Sequence, residues 1–262
     1  MQQFTGDGTF LQQWGIKSPD CPYEGSPPPN VPGGTFCEPW GIAVGVDGSV
    51  FVADTWNGRI QKFTADGQFI TTWGYGILQD PNNLLGFYGP RGIVVDPLGN
   101  VLVTDTGNSR VVVFSADGQP ITQFGGTGVA AGQFAEPVGM ALDAAGRLYV
   151  VDTWNQRVQV FTSDNVGGYA PATSYDIAGW ETTSVNNKPF IAVDLQGNIF
   201  ITDPDGYRVI ELSNTGTIVR YWGNIGIDHS SFSLPTGIVA DEQGGVWVVD
   251  SNNHRLMYFT LP

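Results

Sequence analysis

At 262 residues the chain is long enough to bury a large core, and its 36 Gly, 17 Pro and 12% aromatic residues mark it as turn-rich and all-β. Eleven basic against 25 acidic residues leave a formal charge of -14, with the acids spread over turns, which excludes nucleic acid and anionic membrane surfaces as natural partners. No run approaches the ~18 to 20 apolar residues of a membrane span, so no direct membrane insertion by this chain is expected, and the first residues lack the basic start and apolar core of a secretion signal.

The chain opens with Gln2-Gln3-Phe4, a turn at Asp7-Gly8, and an extended run from Thr9 to Trp14. Residues 15–38 follow as a long Pro-rich loop that holds both cysteines, Cys21 and Cys37. A disulfide between them would pin the segment Pro22 to Pro32, with loop closure worth about 3 kcal/mol; two unpaired thiols are the alternative. Two cysteines confined to one loop of an acidic chain point to an oxidising, extracytoplasmic or secreted setting.

From there one phrase recurs: Pro39-Trp40-Gly41, Pro90-Arg91-Gly92, Pro137-Val138-Gly139, Pro189-Phe190-Ile191 and Pro235-Thr236-Gly237. Each is followed by an apolar run, a turn, a second apolar run and then Asp. The first copy reads Gly41 to Val44, a turn at Asp47-Gly48, Val50 to Ala53, Asp54-Thr55-Trp56-Asn57-Gly58-Arg59, Ile60 to Phe63, a turn at Asp66-Gly67, and Phe69 to Trp73. Short apolar, β-branched runs punctuated by Gly and Asp are strands joined by tight turns. Four antiparallel strands (a, b, c and d) per repeat, at a period of about 45 to 50 residues, describe a propeller blade. The b-to-c turn recurs at Asp105 to Arg110, Asp152 to Arg157 and Asp250 to Arg255. The fourth copy departs, with Asp203-Pro204-Asp205-Gly206-Tyr207-Arg208, and predicts a different backbone path there.

These residues resemble the NHL repeat family of β-propellers, whose pattern joins a Pro-x-Gly-Ile-Ala-Val-Asp strand to an Asp-Thr-x-Asn-x-Arg-Ile turn and strand. The resemblance runs over essentially the whole chain and implies one β-propeller domain spanning 1–262. It says little about function, because propellers host unrelated activities.

The last copy stops after strand c, Leu256 to Phe259, while the first residues read as the end of strand c plus strand d. The N-terminal strand is therefore expected to complete the last blade and close a ring of five, although the family most often has six. The inter-blade core is assigned to Phe63, Phe114, Phe161, Phe259, Trp73, Trp222 and the Val and Ile of strands b and c.

Strand alternation places all b-to-c turns and d-to-a loops on one face. That face also carries the irregular segments: the Cys loop, Tyr75 to Gly89, Gly125 to Phe134 and Ile225 to Leu234. Binding residues belong on such loops. The x of each Pro-x-Gly, namely Trp40, Arg91, Val138, Phe190 and Thr236, is expected near the axis, with the turn residues Trp56, Gly107, Trp154, Asp205 and Asn252 in a wider ring. Trp40, Trp56, Arg91, Trp154 and Phe190 make the candidate ligand-binding platform, since aromatic rings stack sugars and anchor peptides. The competing reading packs these rings under neighbouring loops.

Asp54, Asp105, Asp152 and Asp250 are expected to accept N-H groups within their own turns, Asn57, Asn108 and Asn155 to take up the left-handed conformation, and each Arg to pair with a turn carboxylate. Asp96, Asp143, Asp194 and Asp241 read as turn caps on the plainer face. No cofactor is expected. The resemblance extends to zinc-dependent amidating lyases, but His229 and His254 alone cannot build a three-histidine site. Propeller lactonases hold a divalent cation with carboxylates and amides, for which Glu38 and Glu136 are the nearest candidates. Gly125-Gly126-Thr127-Gly128 opens no helix and makes no phosphate site.

The preferred reading is a non-catalytic extracytoplasmic domain that holds a protein, peptide or glycan on its loop-bearing face, of the kind that forms the outer part of membrane-anchored bacterial proteins. The alternatives are a metal-assisted lactonase-like hydrolase and a structural spacer in a larger surface assembly.

Overall fold

The computed structural model describes residues 1–18, 21, 31–76, 79–80, 82–180 and 188–261. Apart from single 3-10 turns, all regular structure is β, as the repeats require. The chain forms five blades of the β-propeller type in two compact units, Met1–Gln123 and Phe124–Pro262.

The first unit opens with a hairpin of β1 (Gln2–Phe4) and β2 (Phe10–Gln13), then a short parallel pair, β3 (Ile16–Lys17) and β4 (Thr35–Phe36). Blade one follows as β5 (Pro39–Val44), β6 (Val50–Asp54), β7 (Arg59–Phe63) and β8 (Phe69–Trp73), paired in that order. Blade two is β9 (Pro90–Val95), β10 (Val101–Asp105), β11 (Arg110–Phe114) and β12 (Pro120–Gly125).

In the second unit, blade three is β13 (Pro137–Leu142), β14 (Leu148–Asp152), β15 (Arg157–Ser163) and β16 (Tyr169–Asp176). Blade four is β17 (Ile191–Val193), β18 (Ile199–Asp203), β19 (Arg208–Leu212) and β20 (Ile218–Trp222). Blade five has three strands, β21 (Pro235–Ala240), β22 (Gly245–Asp250) and β23 (Arg255–Thr260).

Within the first unit β2 pairs with β1, and within the second β23 pairs with β22. The hairpin is engaged by blade one. Trp14 lies over the Gly67 turn, so close that a Cβ there would meet the indole at 2.7 Å, and Met1 and Trp14 pack against the Phe36, Val50, Val52 and Phe63 cluster. The same contact recurs between blades one and two, Trp73 over Gly118, and between blades three and four, Tyr175 over Gly216. The hairpin thus occupies the place of strands c and d of a blade preceding blade one.

Alternation along each strand sends one set of side chains back toward the preceding blade and the other set forward to the next. The forward side chains Phe51, Ala53 and Ile60 of blade one meet Ile93, Val101, Val103, Val112 and Phe114 of blade two. Blade three repeats this with Tyr149, Val151, Val158 and Val160 against Ile199, Ile201, Ile210 and Leu212 of blade four. A second recurrent element was missed in the sequence. Phe36, Phe87, Phe134 and Phe232, each in a d-to-a loop, are buried against Phe63, Phe114, Phe161 and Phe259 of strand c, with ring centroids 5.7–5.8 Å apart. Burying each such ring contributes on the order of 2 to 3 kcal/mol.

The Pro-x-Gly glycine has a packing cause. A Cβ on Gly41 would come within 2.1 Å of the Arg91 carbonyl oxygen, and one on Gly139 within 2.7 Å of the Phe190 Cα, so strands a of neighbouring blades approach backbone to backbone. Cys21 and Cys37 form the expected disulfide, with a Cα separation of 5.2 Å; residues 22–30, most of the loop it was expected to pin, lie outside those described. Gly41→Ala is expected to lower stability by about 1 to 3 kcal/mol through forced backbone shifts, read as a lower urea midpoint with an unchanged m-value. An unchanged midpoint would contradict the close approach.

Candidate functional site

The b-to-c turns are built by the carboxylate that ends each strand b. Asp54 Oδ2 accepts from Arg59 Nε at 2.9 Å, Asn57 Nδ2 at 2.9 Å and Gln61 Nε2 at 3.0 Å. The Asp–Arg pair recurs at Asp105–Arg110, Asp152–Arg157, Asp203–Arg208 and Asp250–Arg255, all at 2.8 or 2.9 Å, and every one of the five carboxylates is buried. The fourth copy, for all its altered turn, keeps the pair.

Two expectations about these turns are corrected. The second carboxylate oxygen reaches outside its own turn: Asp54, Asp105 and Asp152 accept the backbone N-H of Cys37, Tyr88 and Ala135, each 17 residues upstream, and Asp250 accepts those of Ser233 and Leu234. The left-handed residue is the one after Asn, namely Gly58, Ser109, Gln156 and His254, whereas the Asn side chains donate to the buried carboxylates. The arginines complete the tie. Nη2 of Arg59, Arg110, Arg157 and Arg255 donates to two carbonyls of the preceding d-to-a loop, 27 and 24 residues upstream in each case.

The d-to-a loops are therefore less irregular than the sequence suggests. Three carry a parallel bridge or pair, Ile16 with Thr35, Thr127 with Phe134 and Ile225 with Phe232. The plainer face behaves as expected: Asp96, Asp143, Asp194 and Asp241 each accept two turn N-H groups on Oδ1.

Burial pushes the carboxyls of Asp54 and Asp105 above their ordinary range, against hydrogen bonds from Asn, backbone and Arg. At Asp250 the same desolvation is outweighed by its hydrogen bonds, from the Ser233 and Leu234 backbone first and then Asn253 and Arg255, and its carboxyl is held low. A depressed carboxyl contributes stability above the unfolded value that is lost as pH falls through the folded one.

The candidate ligand-binding residues are divided between the two units. In the first unit the Arg91 guanidinium, buried, lies over the half-buried Trp40 ring at 4.5 Å, and Trp56 Nε1 donates to Glu38 Oε2 at 3.0 Å. In the second, Lys188 Nζ sits 4.1 Å from the centroid of the part-exposed Trp154 ring and 2.9 Å from Glu136 Oε2. Phe190 is half-buried and its N-H donates to Thr202 Oγ1 at 2.8 Å, whereas Val138, one of the expected axial residues, is fully buried. Among the described residues no group of three or more His, Cys, Asp and Glu side chains is placed to hold a metal ion.

Glu38 and Glu136, each before the proline of a strand a, adopt left-handed backbone with φ of 47° and 52°; the matching position in blade two is Gly89 at 68°. For a glutamate before proline this conformation costs on the order of 1 to 3 kcal/mol. It is spent at the two positions whose carboxylates meet Trp56 and Lys188.

Sequence reasoning missed Tyr88. A Cβ at Gly107 would meet the Tyr88 ring at 2.1 Å, so in blade two the loop residue Tyr88 covers the turn position that Trp56 and Trp154 occupy in blades one and three. The signal was Gly107, the only non-aromatic member of that set of three turns.

The NHL repeat profile matches residues 36–63, 87–114, 134–161 and 232–257, in blades one, two, three and five. "Protein brain tumor" of Drosophila melanogaster is 35% identical over 95 residues, 36% of this chain and 9% of that protein. Human "NHL repeat-containing protein 3" is 34% identical over 89 residues, 31% of this chain and 26% of that protein. The matched region thus spans from about a tenth to about a quarter of these relatives' length. Virginiamycin B lyase from Staphylococcus aureus superposes with a TM-score of 0.56 over 86% of this chain and 70% of its own, at 17% identity, a likeness of fold alone.

Asp105→Ala, which strands the buried Arg110, is expected to cost about 3 to 5 kcal/mol, against about 1 kcal/mol for the turn cap Asp194→Ala. The deficit of Asp250→Asn relative to wild type should shrink as pH is lowered from 6 to about 3. Urea melts at several pH values measure both, and a pH-independent Asp250→Asn deficit would contradict the low carboxyl.

Proposed function

We propose, from the premise that this chain is an NHL-repeat β-propeller protein, that it is a non-catalytic extracytoplasmic binding domain that recognises a protein, peptide or glycan through the face bearing its b-to-c turns. The observation that carries this reading is the recurrence of a part-exposed aromatic ring over the same turn position in three blades: Trp56, Tyr88 and Trp154. Buried Asp–Arg pairs fix the backbone beneath them, so the rings are presented without the entropy cost that mobile loops incur on binding.

The charged neighbours support recognition over hydrolysis. Glu38 and Glu136, the carboxylates of the lactonase-like alternative, are engaged by Trp56 and Lys188, which suits them to orienting rings. Trp40 with Arg91 and Trp154 with Lys188 are cation–π pairs, each a flat apolar surface edged by charge. Such a surface fits a sugar ring or an aromatic or acidic peptide side chain. The Cys21–Cys37 disulfide supports an oxidising compartment, and among the described residues no helix is long and apolar enough to cross a membrane.

Glycan and peptide arrays followed by titration calorimetry test the reading. Trp154→Ala and Trp56→Ala, both at solvent-accessible turns, are expected to weaken the captured ligand about tenfold or more each while leaving thermal stability nearly unchanged. Unchanged affinity in both would remove the aromatic surface, and failure of both arrays to yield a ligand would favour the spacer.

A further inference from the structure

Blade three displays what a turn tryptophan with a glutamate beside it can hold. The Trp154 ring carries the Lys188 ammonium 4.1 Å from its centroid, and Glu136 Oε2 lies 2.9 Å from the same nitrogen. Lys188 reaches that place through a change of register. Phe190 N-H donates to Thr202 Oγ1 at 2.8 Å as Gly92 N-H donates to Thr104 Oγ1 at 2.6 Å, and Ile191 pairs with Ile201 as Ile93 pairs with Val103. Phe190 therefore holds the position of Gly92, and Lys188 that of Pro90. With one residue fewer between proline and isoleucine in blade four, a lysine stands where blade two begins strand a with proline, and its side chain is fully buried.

Blade one carries the same pair without the lysine. Trp56 has the turn position of Trp154, and Glu38 has the place before proline that Glu136 has, with the same left-handed backbone. Thr55 Oγ1 donates to the Pro90 carbonyl at 2.8 Å, so the residue brought beside this turn is a proline, which has no charge to offer. Among the described residues no lysine or arginine lies over the Trp56 ring or pairs with Glu38. Glu38 is exposed and Trp56 part-exposed, and the indole N-H, donating to Glu38 Oε2 at 3.0 Å, holds the carboxylate at the edge of the ring.

We infer that Trp56 and Glu38 form a site for a primary ammonium group brought by a ligand, the side chain of a lysine in a basic peptide. The inference rests on the turn-bearing face being a recognition surface and names the chemistry that one part of it takes. Lys188 is the chain's own example of the occupant: an ammonium on the ring face with a carboxylate beside it. The ring quadrupole and the carboxylate both attract the cation, and the indole hydrogen bond sets the carboxylate in place beforehand. A net charge of -14 draws a basic peptide toward the surface, an attraction that a neutral sugar does not feel.

Acetylated, amidated pentapeptides with a central lysine, Nε-acetyllysine or norleucine test this when titrated against the whole chain. The readout is the NMR signal of the Trp56 indole N-H, assigned by its loss in Trp56→Phe. The lysine peptide is expected to shift that signal saturably, less so as salt is raised, and the two neutral peptides to leave it in place. Glu38→Gln, checked for native circular dichroism, is expected to weaken binding by about fivefold or more. Asp117→Asn, the same change of charge at an exposed c-to-d turn, is expected to leave it unchanged. An equal response to all the peptides, no response to the lysine peptide, or equal effects of the two substitutions overturns the proposal. Glucosamine separates the ammonium from its carrier: a stronger response to it than to the lysine peptide would assign the site to amino sugars and overturn the peptide. A ligand captured on the arrays that needs Trp56 or Trp154 but no lysine overturns this site's chemistry alone and leaves the recognition surface standing.

Discussion

A carboxylate buried at the end of strand b, with an arginine five residues on, is the interaction from which the rest of this structure is assembled. The Nε bond closes the b-to-c turn, the second carboxylate oxygen fastens the end of the loop that leads into strand a of the same blade, and the guanidinium draws in that loop's carbonyls. Three segments distant in sequence are joined at one buried point. Removing two charges from water is costly, and the raised carboxyls of Asp54 and Asp105 record that cost. The bonds offset it by satisfying backbone groups that would otherwise be buried without partners.

Around this point the blades are nearly interchangeable units, and their stability resides in the junctions. A d-strand aromatic lies on the Asp-Gly turn of the next blade, a loop phenylalanine on strand c, and strands a meet backbone to backbone at Gly41 and Gly139. Ile42 and Val44 of blade one and Val249 and Leu256 of blade five are more exposed than their counterparts at the junctions within each unit. The lower carboxyl at Asp250 fits the same picture, since the fifth turn is less enclosed than those of blades one and two.

The repeat made most of this legible in the sequence. Five copies of one phrase defined strands, turns and the Asp–Arg pair, because local periodicity and turn chemistry are written in neighbouring residues. What escaped was set by contacts across 17 to 27 residues: that Asp54 reaches Cys37, that Arg59 holds loop carbonyls, and that the loop phenylalanines are core. The left-handed turn residue was misassigned to Asn, since Ser109, Gln156 and His254 carry no local mark of that conformation. The N-terminal segment was rightly read as a strand c and a strand d, while its packing on blade one through Trp14 was not, because pattern alone does not fix where that ring lands. At the candidate site the tryptophans were visible, while Tyr88 and Lys188 were not, because each belongs to a loop whose path brings it over a neighbouring turn.

The arginine tie has a consequence for how such a surface diversifies. The residues whose carbonyl oxygens it grips, among them Pro32, Asn83, Ala130 and Asp228, share no chemistry, and only their main chain is used. The anchorage is blind to side-chain identity. Residues in these segments are therefore free to drift toward new ligands while the scaffold that holds them in place is inherited unchanged.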